Sequence, residues 1–321
     1  MKKFFSPLLR NTNFSLVIAL LVLFAILSLS SKNFLSAYNM YTIGRTLAIY
    51  AFVGLAQAVV IAIGDMNISA GAIGGLATIT AGYFMSVMHL PGSVAAIIAL
   101  LVGTAAGTIN GIISTKLGIN AFIVTLSTMF IYTGINFGFT QGYSFNNIPK
   151  SFSFLGKNSF LGIPLLFIFT IIVFIIVFFF YNFNLTGRRI LAVGENADAA
   201  KFSGINNVNI KIFSHSLSGF LAALAALLYI SRMGTAQPTV GQDWLIISFA
   251  VAIIGGTSLK GGSLTALGLV IGAIIMVLIK NGLILLKTNV YWEQAFLGAL
   301  IMIAVGVDRL RATYNQRKLL E

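Results

Sequence analysis

The residues able to do chemistry are few and far apart. The nearest approach to a phosphate loop is Gly255-Gly256-Thr257-Ser258-Leu259-Lys260-Gly261-Gly262. A nucleotide loop needs its amides, its lysine and a following hydroxyl at fixed spacing, in the order GxxxxGK[ST]. Here Lys260 precedes the glycine pair and no Ser or Thr follows in place, so the chain is expected neither to hydrolyse ATP nor to carry a cofactor. His89 and His215 stand alone, without the spacing or carboxylate neighbours of a metal site. His215, at the start of an apolar segment, is expected to pack or to make an interfacial hydrogen bond. Cysteine is absent, which removes thiol catalysis, thiolate metal sites and disulfides. Asp65 lies at a junction, Asp243 and Glu293 lie near segment ends, and Lys280 reads as a lone cation inside a segment. Ion-coupled carriers need buried ionisable partners along their path. Their scarcity argues against such a carrier and against an enzyme. A stand-alone secondary carrier or facilitator is kept as the alternative reading.

Two polar stretches interrupt the apolar chain. Gly64-Asp65-Met66-Asn67-Ile68-Ser69-Ala70-Gly71 reads as a helix break, with Asn67 or Ser69 placed to accept from the free amides of the next helix. A break inside a bilayer is tolerated only where protein or a water-filled cavity satisfies the backbone. It is therefore either a wall of a pathway or a plain interhelical turn. The second stretch, 186–211, opens with Arg188-Arg189 and continues through Gly194-Glu195-Asn196-Ala197-Asp198-Ala199-Ala200-Lys201-Phe202-Ser203-Gly204. Asn196 can cap a helix, Asp198 suits its first turn and Gly204 can end it. A short amphipathic helix of two turns or slightly more is expected there. It could lie on lipid or dock on a partner, and its small alanines favour docking.

The elements that hold these stretches are written for lipid. The 321 residues are 58% hydrophobic and 8% charged, with a mean hydropathy of +0.97. Soluble domains are about a quarter charged. Ten apolar segments can be marked, at 14–31, 46–63, 69–88, 93–115, 120–139, 163–181, 212–230, 245–254, 264–286 and 291–307. At about 20 residues per span, this predicts an all-α polytopic membrane protein of about ten helices, forming one domain over 1–321. The eighth segment is too short to cross alone, and either continues into the glycine-rich stretch or is a broken helix. The first is basic at its start and long enough to span, so it reads as a retained helix rather than a cleaved signal.

The net charge of +13 would suggest nucleic acid in a soluble protein. Here basic residues mark cytoplasmic loops, and no nucleic-acid partner is expected. With ten alternating spans and a cytoplasmic N-terminus, thirteen Lys and Arg fall inside, six outside, and Lys280 within a span. Both termini and the 182–211 loop are then cytoplasmic. Gly103, Gly107 and Gly111 share one helix face, as do Gly134, Gly138 and Gly142. Close packing within the fold is the preferred reading of both sets over a dimerisation motif. Asn110-Gly111-Ile112-Ile113 with Lys116 is similar to Asn281-Gly282-Leu283-Ile284 with Lys287. It is either a chance match or one trace of an inverted repeat.

These motifs together resemble the permease subunits of ribose-type ABC sugar importers, in the branched-chain amino acid/ribose permease superfamily. The insert follows the pattern GRxxxAxGxNxxAAxxSGI through Gly187-Arg188-Arg189, Ala192, Gly194, Asn196, Ala199-Ala200 and Ser203-Gly204-Ile205. Ala236-Gln237-Pro238-Thr239 resembles the family's SAQPT, and Gly255 to Gly262 its GGTSLxGG. Asn281-Gly282-Leu283 and Val307-Asp308-Arg309 also fit, so the resemblance runs from about residue 46 to 309.

The resemblance implies a layout similar to the ten-helix permease of the vitamin B12 importer, with inverted halves. It implies a second permease copy or paralogue, two ABC ATPase subunits inside, which hydrolyse the ATP, and an extracytoplasmic solute-binding protein outside. It places the protein in the bacterial inner membrane. ATPase coupling would fall to Arg188, Gly194, Glu195, Asn196, Asp198, Ala199, Ala200, Ser203 and Gly204 in a segment of about 185–211. The translocation path would take Asp65, Asn67, Ser69, Gln237, Thr257 and Asn281. The chain departs from the family's GGIDLSVG, with Asp65 replacing a glycine and Asn67 standing where the Asp belongs. Leu245, Ile247 and Phe249 stand near where the family has acids, which implies a less polar pore and leaves the sugar open.

Overall fold

A computed structural model describes residues 12–288, together with 292, 294–296, 298, 299 and 302. The expected tenth segment at 291–307, both termini and Val307-Asp308-Arg309 fall largely or wholly outside the described residues. What is described is a polytopic, almost wholly helical membrane protein. Six of the described helices are long and apolar enough to cross a bilayer. They are α2 (Ala37–Ile61), α4 (Gly92–Lys116), α5 (Ala121–Thr140), α7 (Leu165–Phe183), α10 (Asn207–Met233) and α12 (Ala266–Leu285). The apolar helices α1 (Thr12–Ser30), α3 (Ala70–Ser86) and α11 (Trp244–Ile254) accompany them.

Asparagines start several of these helices. Asn120 accepts from the Phe122 amide at α5, and Asn206 accepts from the Asn209 amide at α10. Ser36 does the same for α2. Each satisfies an amide that the helix itself leaves free. Gly234, with φ of 73°, ends α10 in the left-handed conformation that a side chain would resist.

Burial sorts the helices. α2 has 78% of its apolar window inside the chain and α10 has 61%, against 22% for α7. An all-round apolar helix belongs in the centre, and α2 and α10 run there side by side. α7 turns Ile172, Ile175, Ile176 and Phe179 outward, the surface lipid requires. Gly103, Gly107 and Gly111 let α4 lie backbone-close to α10, against Gly219, His215, Ile212 and Ala223. The second glycine set behaves otherwise. Nothing lies within 4 Å of a Cβ at Gly134 or Gly138, so this face of α5 is open rather than packed within the chain, and Gly142 (φ 83°) lies beyond the helix end and not on that face.

Three further points differ from the sequence reading or settle it. The 186–211 stretch forms two helices rather than one, α8 (Leu185–Glu195) and α9 (Ala197–Phe202). The first was hidden by Gly187 and Gly194, which lower helix propensity but here permit close packing. The eighth apolar segment is a broken helix. α11 stops after 11 residues, about 16 Å, and Gly256 (φ 81°) turns the chain out. Between α5 and α7 stand a one-turn helix, α6 (Phe154–Lys157), and a two-stranded ribbon, β1 (Ser159–Phe160) and β2 (Ile163–Pro164). The ribbon turns through Leu161 and Gly162, both at positive φ, the geometry that matches strand twist.

Candidate translocation and coupling site

The break after α2 is sealed by protein. Asn67, wholly buried, donates through Nδ2 to Ser218 Oγ at 2.9 Å. Its Oδ1 accepts from the Ser69 amide at 3.0 Å and the Ser69 hydroxyl at 2.8 Å. Asn110 donates to the same Ser69 oxygen at 2.8 Å, and the Ile68 amide donates to Thr125 Oγ1 at 3.1 Å. Three helices, α4, α5 and α10, thus pin the break. The Asn67 amide donates to Ser218, a bond the family's carboxylate could make only by accepting. Asn67 and Ser69, both expected on a path, are fully enclosed in this structure and hydrogen-bonded within the fold.

Asp65 lies just outside this lock and faces a cavity of about 740 Å³ with Lys211, Ser114, Thr115 and Asn120. Its carboxylate accepts from Lys211 Nζ at 3.1 and 3.3 Å, and His215 Nε2 lies at 3.5 Å. Burial alone would raise the Asp65 carboxyl, but the nearby His215 imidazole and the Lys211 ammonium outweigh it and hold it below its ordinary value. Lys211 lies in the second turn of α10, at the end of the 186–211 stretch, so this pair ties the break to the insert's exit.

The insert itself meets the break backbone to backbone. Gly194, at the end of α8, rests against the Ala62 carbonyl and the Gly262 amide. That amide donates to Ala62 O at 3.0 Å. Gly261 (φ 92°) lies against both Gly194 and the Gly64 amide. Glycines from three distant stretches therefore converge, because any side chain there would strike backbone. Thr257, four residues before Gly261, is buried, its hydroxyl without a hydrogen-bond partner.

α9 stands outside this junction. Asn196 caps it through Oδ1 to the Ala199 amide at 2.9 Å, and Gly204 (φ 80°) closes it while the Ile205 amide donates to Ala200 O. Arg188, Glu195, Asp198, Ala199, Ser203 and Gly204 are exposed, and Phe202 is 91% exposed. Ala200 is the exception. It is buried against the rest of the chain, so its smallness serves internal packing rather than an outer partner.

At the opposite end of the helices, α2, α10, α11 and α12 enclose a cavity of about 340 Å³. Lys280 is paired there with Asp243 at 3.4 Å and stands 5.8 Å from the Tyr50 ring centre, so it is not a lone cation. Arg232 and Tyr229 also line it. Asn281 lines it too, but exchanges amide hydrogen bonds with Asn39 at 2.7 and 3.1 Å. Gln237 is half-buried in the loop above. Residue types alone hid this cluster. Asp243 and Lys280 were visible as charges near or within apolar segments, but 37 residues separate them. Between the two ends, Leu245, Ile68, Met129, Phe130 and Asn136 line a smaller, mostly apolar cavity.

The family described as branched-chain amino acid transport system / permease component matches residues 39–305. The chain belongs to this family. As a member of that family it is similar, at 35% identity over 92% of the chain and 93% of the relative, to the ribose import permease protein of Haemophilus influenzae. It is 33% identical to the fructose import permease protein of Rhizobium meliloti, over 92% of the chain and 84% of the relative. With the galactose/methyl galactoside import permease protein of Salmonella typhimurium it shares 30% identity, over 94% of both. No solved structure matches the chain.

Proposed function

We propose that this chain is the membrane-spanning subunit of an ATP-binding-cassette importer that carries a sugar or similar small polar solute into the cytoplasm. The observation that carries the proposal is the α8–α9 unit. It projects a rigid, capped helix with an exposed Phe202 from one end of the bundle, and its root, Gly194, is seated on the end of α2. A helix so built takes up force from a partner and delivers it to the break. The relatives' names as sugar import permeases supply the solute class.

In this account two ATPase subunits close on ATP and push α9. α8 passes the displacement through the glycine junction to Ala62 and to the 255–265 loop. The Asp65–Lys211 pair carries it to α10. The residues proposed for coupling are Arg188, Glu195, Asn196, Asp198, Ala199, Ser203 and Gly204 on the exposed side, with Gly194 at the root. For the path, Asp65, Gln237 and Thr257 remain the proposed contacts. An extracytoplasmic binding protein delivers the solute, and a second permease completes the pore. The open Gly134 and Gly138 face of α5, flanked by exposed Phe130, Ile131 and Ile135, supports a paired arrangement.

The proposed architecture is ten spans in two inverted halves, as in the vitamin B12 importer permease, in a bacterial inner membrane with both termini inside. The 171-residue offset between Asn110 and Asn281 supports the repeat. It lays α2 on α10, α3 on α11 and α4 on α12. α3 packs on α4 and α10, as α11 packs on α12 and α2. α2 and α10 run antiparallel, with Asp65 beside Lys211 at one end and Arg45 bonded to the Arg232 carbonyl at the other. Gly71 and Gly241, at the starts of α3 and α11, meet backbone to backbone.

The test is co-purification with the ATPase. Phe202→Asp should abolish ATPase recovery while the permease folds normally. Recovery equal to the parent's would refute the docking role of α9.

A further inference from the structure

We propose that the permease carries its own solute site, in the cavity opposite the insert, and that it takes one neutral monosaccharide. This rests on the importer reading and adds to it a binding step that the partner protein does not perform.

Charged groups at membrane depth are held only where they face protein or a water-filled cavity, and there they mark solute paths. Lys280 lies within the spanning helix α12, and Arg232 lies in the last turn of α10. Both line the same cavity as Asp243. The Asp243 carboxylate and Lys280 ammonium stand 3.4 Å apart and half in reach of solvent, with side-chain exposures of 50% and 27%. An acceptor and a donor side by side suit neighbouring sugar hydroxyls, each of which both gives and takes a hydrogen bond. Tyr50 and Tyr229 add ring surface for the C–H face of a pyranose or furanose. Thr46 adds a hydroxyl whose proton goes to Thr42 O, leaving its lone pairs to accept from a ligand.

Size narrows the occupant. The cavity of about 340 Å³ is at the small end of the roughly 300–1,000 Å³ usual for small-molecule sites. It suits one sugar ring and not a chain of them. Lys280 and Asp243 are adjacent and opposite, so the pair presents hydrogen-bonding groups of both kinds, and Arg232 leaves the lining one positive charge in excess. A cationic solute is disfavoured, and the sugar class that the importer reading supplies is neutral. The mostly apolar cavity beyond it, walled by Leu245, Ile68 and Phe130, offers the solute far fewer partners. The outer cavity is therefore a staging point before the pore.

The full chain in lipid nanodiscs tests this without any partner. The chain has two tryptophans, and Trp292→Phe leaves Trp244, next to Asp243 in the cavity wall, as the sole reporter. It is titrated with D-ribose, D-fructose, D-allose and D-galactose. At least one sugar should change the emission saturably in the millimolar range. Asp243→Asn should weaken that binding roughly tenfold or more, the effect of losing a charge-assisted hydrogen bond. Thr46→Val, which leaves the ion pair untouched, should weaken it severalfold with an unchanged melting temperature. Saturation by none of the four sugars, or parental midpoints in both variants, overturns the site. If the assembled transporter imports sugar while the chain alone fails to titrate, the site is wrong and the importer reading stands. If the chain titrates but uptake proceeds without ATPase subunits, the importer reading falls and the site stands.

Discussion

Gly194→Ala places one methyl group at the root of the proposed coupling unit, and the structure sets its consequence. The new Cβ would overlap the Ala62 carbonyl oxygen and stand 2.6 Å from the Gly262 amide nitrogen. Carbon contacts settle near 3.5–4.0 Å, so relief requires a shift of roughly 1–2 Å. Both neighbours are backbone atoms, and they are hydrogen-bonded to each other at 3.0 Å. No rotamer can yield. Overpacking of this kind costs about 1–3 kcal/mol, and an amide left buried without its partner costs roughly another 1–3 kcal/mol. The total of about 2–6 kcal/mol must either lower the melting temperature or push α8 off the end of α2. In the second case folding survives and ATP hydrolysis loses its connection to uptake. Gly298→Ala is the control, since nothing lies within 4 Å of its Cβ, it is exposed, and helix propensity favours alanine. The assay is melting temperature of the purified chain together with uptake per ATP hydrolysed by the complex. Parental values of both in Gly194→Ala would refute the junction as a transmission point.

The Asp65–Lys211 pair yields a reversal test. Asp65→Lys or Lys211→Asp alone should reduce uptake and destabilise the chain by about 1–3 kcal/mol, while the double exchange should recover much of both; no recovery would show that the pair acts as two separate residues. Because the Asp65 carboxyl is held below its ordinary value of 3.8, its contribution is complete above that pH and is lost only as pH falls through the lowered value. The melting-temperature difference between the parent and Asp65→Asn should therefore be flat between about pH 5 and 8. Asn67→Asp should also destabilise, since the donor to Ser218 is lost inside a wholly buried network, by roughly 1–3 kcal/mol in thermal melts.

Hydropathy made the membrane class readable, because lipid must face apolar side chains along every span. The insert was readable through its polarity and through the Asn196 and Gly204 signals, which act within a few residues. Its first helix, α8, was not readable. Gly187 and Gly194 are poor helix formers in isolation, and the reason for them is Phe180 O across the preceding turn in one case and Ala62 O, far away in sequence, in the other. Ala200 read as a docking contact because size alone does not tell which side of a one-and-a-half-turn helix is covered. The break at 64–69 was located correctly, but Ser218, Asn110 and Thr125 arrive from other helices to seal it. Only those partners convert Asn67 and Ser69 from path candidates into locked structure. Asp243 with Lys280 failed to register for the same reason, being a pair made by packing and not by spacing.

In the proposed importer the chain moves solute only when an ATPase works on its α9 end. Proteoliposomes decide it, prepared with the chain alone and with the chain plus its ATPase subunits and binding protein, each loaded with or without ATP. Labelled monosaccharide should accumulate only in the complete set, only with ATP on the α9 side, and not with Phe202→Asp. Accumulation or saturable flux through the chain alone, with no ATPase present, would contradict the account.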